Sequence, residues 1–143
     1  MIVSDILKQK GTYVASTRPS VSIAEAAAIM SREHIGALLV RDEAGAIKGI
    51  LSERDIVAAL ARAGAACLER AVGDYMTRDV VHCKSVDPIK DIMSAMTGKR
   101  IRHLPVIDDN RLAGIISIGD VVKLRLREAE EEVEIIMEYV ATA

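Results

Sequence analysis

Apolar residues recur at helical spacing over residues 23–33. Ile23, Ala26, Ala27 and Met30 fall on one side of an Ala-rich segment and predict an amphipathic helix. Residues 37–40 form a short continuous apolar run, the pattern of a buried strand. Asp42-Glu43-Ala44-Gly45 has turn chemistry, and a second apolar run covers 47–51, so the two runs predict a hairpin. A helix opens at Ser52 and runs to about Arg62, ahead of Gly64. A short strand over 12–15 precedes the first helix. The same order then returns: a strand near 80–82, a helix over 89–100, a strand over 104–107, the turn Asp108-Asp109-Asn110, a strand over 112–116, and a long helix from Ser117. The pattern is β-α-β-β-α, twice, with 64–70 as the connection.

The residues repeat as well as the pattern. Gly49-Ile50-Leu51-Ser52-Glu53-Arg54-Asp55-Ile56-Val57 aligns with Gly114-Ile115-Ile116-Ser117-Ile118-Gly119-Asp120-Val121-Val122. Upstream, Ile35-Gly36-Ala37-Leu38-Leu39-Val40 aligns with Ile101-Arg102-His103-Leu104-Pro105-Val106, one residue further apart, which fits a shorter turn in the second copy. Val3-Ser4-Asp5-Ile6-Leu7 echoes Val72-Gly73-Asp74-Tyr75-Met76. A unit of roughly 65 residues buries too little surface to be comfortable alone, so two copies are expected to share a core. The expected division is 1–66, 67–125, and a C-terminal helix extension over 126–143. The fold class is α+β.

Composition narrows the function. The chain has 143 residues, 19 basic and 21 acidic, and a net charge of -2. That balance argues against a general nucleic-acid binder, which carries a basic excess. With three Tyr and no Phe or Trp, base stacking on aromatic platforms is also excluded. No apolar run approaches the length of a membrane span, and no signal-peptide pattern opens the chain. Cys67 and Cys83 are too few for a disulfide framework or a zinc site, so a reducing, cytoplasmic compartment is expected and no metal. His34 and His82 have no ligand-type neighbours at metal spacing and read as structural.

The repeated Gly-x-x-Ser-x-x-Asp has two readings. In one, Ser52 and Ser117 are helix N-caps, and Asp55 and Asp120 reach back to complete capping boxes. In the other, the same geometry binds a ligand. A helix N-terminus attracts anions, a Ser hydroxyl donates to phosphate, and one carboxylate can accept both hydroxyls of a ribose. Glycine would let the ligand approach the backbone. A hydrolase built on Ser52, Asp55 and His103 finds no support, because the motif is no nucleophile elbow. Walker A and Rossmann patterns are absent as well.

The double repeat with this motif in each copy resembles the CBS domain pair, or Bateman module, and the plan is similar to small stand-alone bacterial CBS-pair proteins. The phrases Ser52-Glu53-Arg54-Asp55-Ile56-Val57 and Arg100-Ile101-Arg102-His103-Leu104-Pro105-Val106 strengthen the likeness, which covers about 1–125. The resemblance implies two copies packed about a pseudo-two-fold axis, with clefts for adenosine ligands such as AMP, ADP, ATP or NAD. It implies no catalysis: the module would sense energy or redox state and signal to a separate effector protein. The alternative is a structural or interaction protein with vestigial nucleotide clefts. By the resemblance, the first cleft holds Ser52, Arg54, Asp55, Lys84, Arg102 and His103. The second holds Ser117, Asp120, Gly36, Ala37, Thr17 and Arg18. Residues 17–21 and 84–86 would flank adenine, although Pro19 in one copy corresponds to a displaced Pro88 in the other. Arg102 and His103 suit phosphate, since Arg forks onto it bidentately. The Asp120 cleft has Gly119 in place of Arg54, and Arg18 is its only comparable cation, so it is expected to be the poorer phosphate site.

Beyond the repeat, Val122, Leu126, Ala129, Val133, Ile136, Val140 and Ala143 alternate in steps of four and three, an a/d heptad seam in an otherwise Glu-rich helix. Two outcomes are open: packing on the chain's own module, or a helix contact between molecules, with a homodimer the expected form.

Overall fold

The computed structural model describes all residues 1–143. The elements run α1 (Val3–Lys10), β1 (Ser16–Thr17), α2 (Ile23–Glu33), β2 (Ala37–Arg41), β3 (Ile47–Ser52), α3 (Glu53–Ala63), a 3-10 turn (Gly64–Glu69), α4 (Val72–Tyr75), α5 (Ile89–Lys99), β4 (His103–Asp108), β5 (Arg111–Ser117) and α6 (Ile118–Thr142). They form two compact units: Val14–Val80, and Met1–Tyr13 together with Val81–Ala143.

In the first unit β2 pairs antiparallel with β3, and β1 adds in parallel to β2. The core collects Ile23, Ala26 and Met30 of α2, Leu38 and Val40 of β2, Leu51 of β3, and Val72 and Met76 from in and beside α4. In the second unit β4 pairs antiparallel with β5. Its core joins Ile89, Ile92 and Met96 of α5 to Leu104, Val106 and Ile116 of the hairpin, Val121 and Leu124 of α6, and Val3, Ile6 and Leu7 of α1. Both hairpins carry a register shift at the same place, between Val40 and Arg41 and between Val106 and Ile107. The helix before each hairpin ends on a left-handed residue, His34 or Arg100, each with φ of 55°.

The compact units are therefore not the contiguous sequence repeats. α1 belongs to the core of the second repeat, and α4 to that of the first. Backbone bonds hold each exchange. Val3 and Ser4 donate N–H to the Asp87 and Ser85 carbonyls at 3.0 and 2.9 Å, while Val72 and Gly73 donate to the Val21 and Pro19 carbonyls at 2.8 and 2.9 Å.

The exchange explains the glycine of the repeated motif, and it corrects one expectation. Gly49 was expected to leave room for a ligand. Instead the space is taken by the arriving segment: a Cβ on Gly49 would lie 2.7 Å from the Thr77 carbonyl oxygen and 2.8 Å from the Met76 sulfur. Gly114 is filled in the same way, its Cβ position lying 2.7 Å from Leu7 Cδ2. Ile50 and Thr77 exchange both backbone bonds at 2.9 Å, which fixes the close approach.

Two strand expectations also change. The strand expected over 12–15 forms instead at Ser16–Thr17, where Thr17 is buried and Thr12 and Tyr13 are exposed. Near 80–82 there is no strand, only a bridge at Cys83, which donates to the Pro105 carbonyl at 3.0 Å and accepts from Ile107 at 2.8 Å. The ladder stops on both sides of Cys83: Pro105 has no N–H to give the Val81 carbonyl, and Ser85 N–H, the next donor, is captured by the Asp108 carboxylate.

Cys67 and Cys83 are both buried and unpaired. Burial, reinforced by Asp87 and Asp108, pushes the Cys83 thiol up to about 12. In the native state at about pH 8 neither cysteine is expected to react promptly with a thiol reagent, whereas both should react in denaturant. Thiol titration checks this; a rapid native equivalent would show that one core opens readily.

Candidate functional site

Each β hairpin runs straight into a helix, and the junction is built identically in both units. Ser52 caps α3: Asp55 N–H donates to its Oγ at 3.3 Å, and Ser52 N–H donates to Asp55 Oδ2 at 2.9 Å. Ser117 caps α6 in the same way, at 3.2 and 2.9 Å. A further donor of each helix, the first N–H, is tied to the residue before or at the entry of the partner strand. Glu53 N–H meets the Gly36 carbonyl at 3.0 Å, and Ile118 N–H meets that of Arg102 at 2.8 Å. In strand register Ala37 lies opposite Ser52, and His103 opposite Ser117. The capping reading is thus realised in both copies, and it holds each carboxylate, half-buried, at a helix N-terminus where the dipole favours anions.

The units distribute the expected residues as follows. The unit 14–80 contains Ser52, Arg54 and Asp55 together with Thr17, Arg18, Gly36 and Ala37. The other contains Ser117 and Asp120 together with Lys84, Arg102 and His103. Within a unit, then, the strand entry Gly36-Ala37 accompanies Ser52, and Arg102-His103 accompanies Ser117. Ala37 and Thr17 are buried, His103 and Gly36 half-buried, and Arg18, Arg54, Lys84 and Arg102 exposed.

Two contacts at the carboxylates were not anticipated. The Thr77 hydroxyl donates to Asp55 at 3.1 Å (Oδ1) and 3.3 Å (Oδ2). The Lys10 ammonium donates to Asp120 Oδ2 at 2.8 Å. Lys10 closes α1, and Thr77 follows α4, so both arrive on the exchanged segments. The only sequence signal was the match of 3–7 with 72–76; nothing in it shows which hairpin each segment joins. Burial raises the Asp120 carboxyl, but hydrogen bonds from Lys10 and the Ser117 backbone outweigh it, so the net shift is downward and the group is ionised.

Lys10 also corrects the charge comparison. Arg18 was expected to be the only cation comparable to those of the other site. Instead Asp120 shares a cavity of about 280 Å³ with Lys10, Lys123 and Arg127, backed by Ile6, Gln9 and Leu124. That is near the lower end of small-molecule pockets, and its cations outnumber its carboxylate. The Asp55 junction borders a shallower groove of about 510 Å³, lined by α2, Gly36, Glu53, Ile56 and Val57.

The chain as a whole is similar to known proteins. The CBS domain profile matches residues 3–62 and 72–127. The CBS domain-containing protein CBSX3, mitochondrial, of Arabidopsis thaliana is 32% identical over 146 residues, covering 96% of this chain and 71% of that one. Among solved structures, the CBS-domain containing protein ATU1752 of Agrobacterium tumefaciens is 48% identical with a TM-score of 0.86, covering 87% of this chain and 99% of that one. The CBS domain pair of protein MJ0100, solved in complex with 5'-methylthioadenosine and S-adenosyl-L-methionine, is 30% identical with a TM-score of 0.76, covering 87% and 98%. No helix of this chain is long and apolar enough to cross a membrane.

Proposed function

The chain belongs to the CBS domain family, and from that premise we propose that it is a non-catalytic regulatory module that binds adenosine-bearing ligands and passes their presence to a separate effector protein. The observation that carries the proposal is the duplicated junction. Each copy offers a capping Ser and a half-buried carboxylate, Asp55 or Asp120, at a helix N-terminus beside a strand entry. A carboxylate so placed can accept two ribose hydroxyls, and the helix end and nearby cations suit a phosphate or a sulfonium ligand's carboxylate. The likeness to a domain pair solved with two adenosine ligands supports the ligand class. The residues assigned to binding are Ser52, Asp55, Arg54, Thr17, Arg18, Gly36 and Ala37 of one unit, and Ser117, Asp120, Lys84, Arg102 and His103 of the other. AMP, ADP, ATP and NAD would make it a sensor of energy or redox state in the cytoplasm.

A second reading has its own observation. The capping boxes already account for Ser52, Asp55, Ser117 and Asp120, and Lys10 occupies Asp120. On that reading the junctions are structural and the sites vestigial. Thermal melting with AMP, ADP, ATP, NAD, 5'-methylthioadenosine and S-adenosyl-L-methionine separates the two. A ligand at about 100 times its dissociation constant adds roughly 2.7 kcal/mol to stability. We expect at least one to raise the midpoint without being consumed. No shift with any of the six would leave the vestigial reading, and steady turnover would make the protein an enzyme.

A further inference from the structure

α6 is 25 residues long, yet its buried residues are Val121 and Leu124, both near its start. From Glu130 onward every residue is exposed. Val133 is 54%, Ile136 61% and Val140 67% exposed, and together with Leu126 and Ala129 they form one continuous a/d stripe. The chain's own module therefore does not cover the seam. A free helical segment this short is marginal in water, and an apolar stripe of this length is a surface awaiting a partner.

We propose that the partner is the same stripe of a second copy, in a parallel, in-register, two-stranded coiled coil. The heptad places Leu126, Val133 and Val140 at a, and Ala129 and Ile136 at d. Charge decides the direction. In the parallel pairing Arg125, at g, lies beside Glu130, at e, of the second copy, and the contact occurs twice by symmetry. The antiparallel alignment that sets Ala129 against Val133 also sets Glu130 against Glu130 and Glu132 against Glu132, and the one that sets Val133 against Ile136 covers the stripe but places Glu130 beside Met137 and Glu132 beside Tyr139, pairing no opposite charges. Sliding the antiparallel helices until Lys123 meets Glu130 and Arg125 meets Glu132 removes that repulsion, but leaves Ile136 and Val140 beyond the overlap. Only the parallel arrangement covers the whole stripe and pairs opposite charges.

The test uses the full chain. Light scattering at micromolar concentration should give a dimer; a monomer or a tetramer overturns the proposal. The Ala129→Cys variant should cross-link to itself on mild oxidation, because like d positions face each other across a parallel seam within disulfide reach. Glu131→Cys, on the outer face, should not cross-link, and buried Cys67 and Cys83 give no background. Cross-linking of Ala129→Cys only when mixed with Val133→Cys or with Val140→Cys would show an antiparallel pairing and overturn the assignment. Val133→Lys with Ile136→Lys should weaken self-association by at least about 100-fold. These positions are exposed in the isolated chain, so the melting of the two cores should still be seen by circular dichroism. An unchanged dimer in the double variant would place the interface elsewhere.

Discussion

Asp120→Ala is expected to remove one bound adenosine ligand and leave the other, and Asp55→Ala to do the reverse. Each carboxylate is held by its own capping box in its own unit, so neither loss should propagate. Hydrogen bonds to an ionised group are worth about 1.5–3 kcal/mol each, so losing a pair to a ribose weakens binding by about 100-fold or more. The folding cost should be far smaller, about 1 kcal/mol, the usual worth of a helix cap contact. Calorimetry reads the stoichiometry. Two ligands bound in both variants would mean that the carboxylates serve only the helices. Lys10 adds an internal comparison: Asp120 must share or release a 2.8 Å ion pair to bind a ribose, whereas Asp55 gives up only neutral hydroxyl bonds, from Thr77 and Ser52. Lys10→Ala should therefore favour adenosine over ATP at the Asp120 site, since it frees the carboxylate and removes a cation from the cavity.

Gly49→Ala should be among the most damaging single methyl additions. Its Cβ would stand 2.7 Å from a backbone oxygen that cannot move without breaking the paired Ile50–Thr77 bonds. Overpacking of this kind costs about 1–3 kcal/mol. Gly114→Ala meets an equally close atom, but that atom is the end of the Leu7 side chain, which can rotate away. Urea midpoints should fall in both variants and further in Gly49→Ala. Because Thr77 also bonds Asp55, ligand binding at Asp55 should weaken in Gly49→Ala while binding at Asp120 holds. Equal midpoint losses would show that the exchanged segment yields as easily as a side chain.

The capping boxes at Ser52 and Ser117 were legible because their partners lie three residues apart, and a Ser with an Asp at that spacing closes on itself whatever the rest of the fold does. The hairpins were legible because two apolar runs around a polar turn have few alternatives. The seam of α6 was legible as a periodicity. The expected strand over 80–82 does not form because apolar residues alone do not make a ladder: Val80 N–H turns back onto the Arg78 carbonyl, and Pro105, across from Val81, has no N–H to give.

What the sequence determined by itself was the local and the periodic: two copies of a helix followed by a β hairpin, a capped helix after each hairpin, and an apolar stripe running past the repeat. Only the tertiary structure decided which segment meets which copy. Lys10 finds Asp120 across 110 residues, Thr77 finds Asp55 across 22, and Leu7 and Met76 fill the spaces left by Gly114 and Gly49. Duplication is the physical reason. When two hairpins present nearly the same apolar groove, the pattern along the chain suits a helix to either one. The choice is then made by packing volume and by long-range backbone bonds, which no local spacing records.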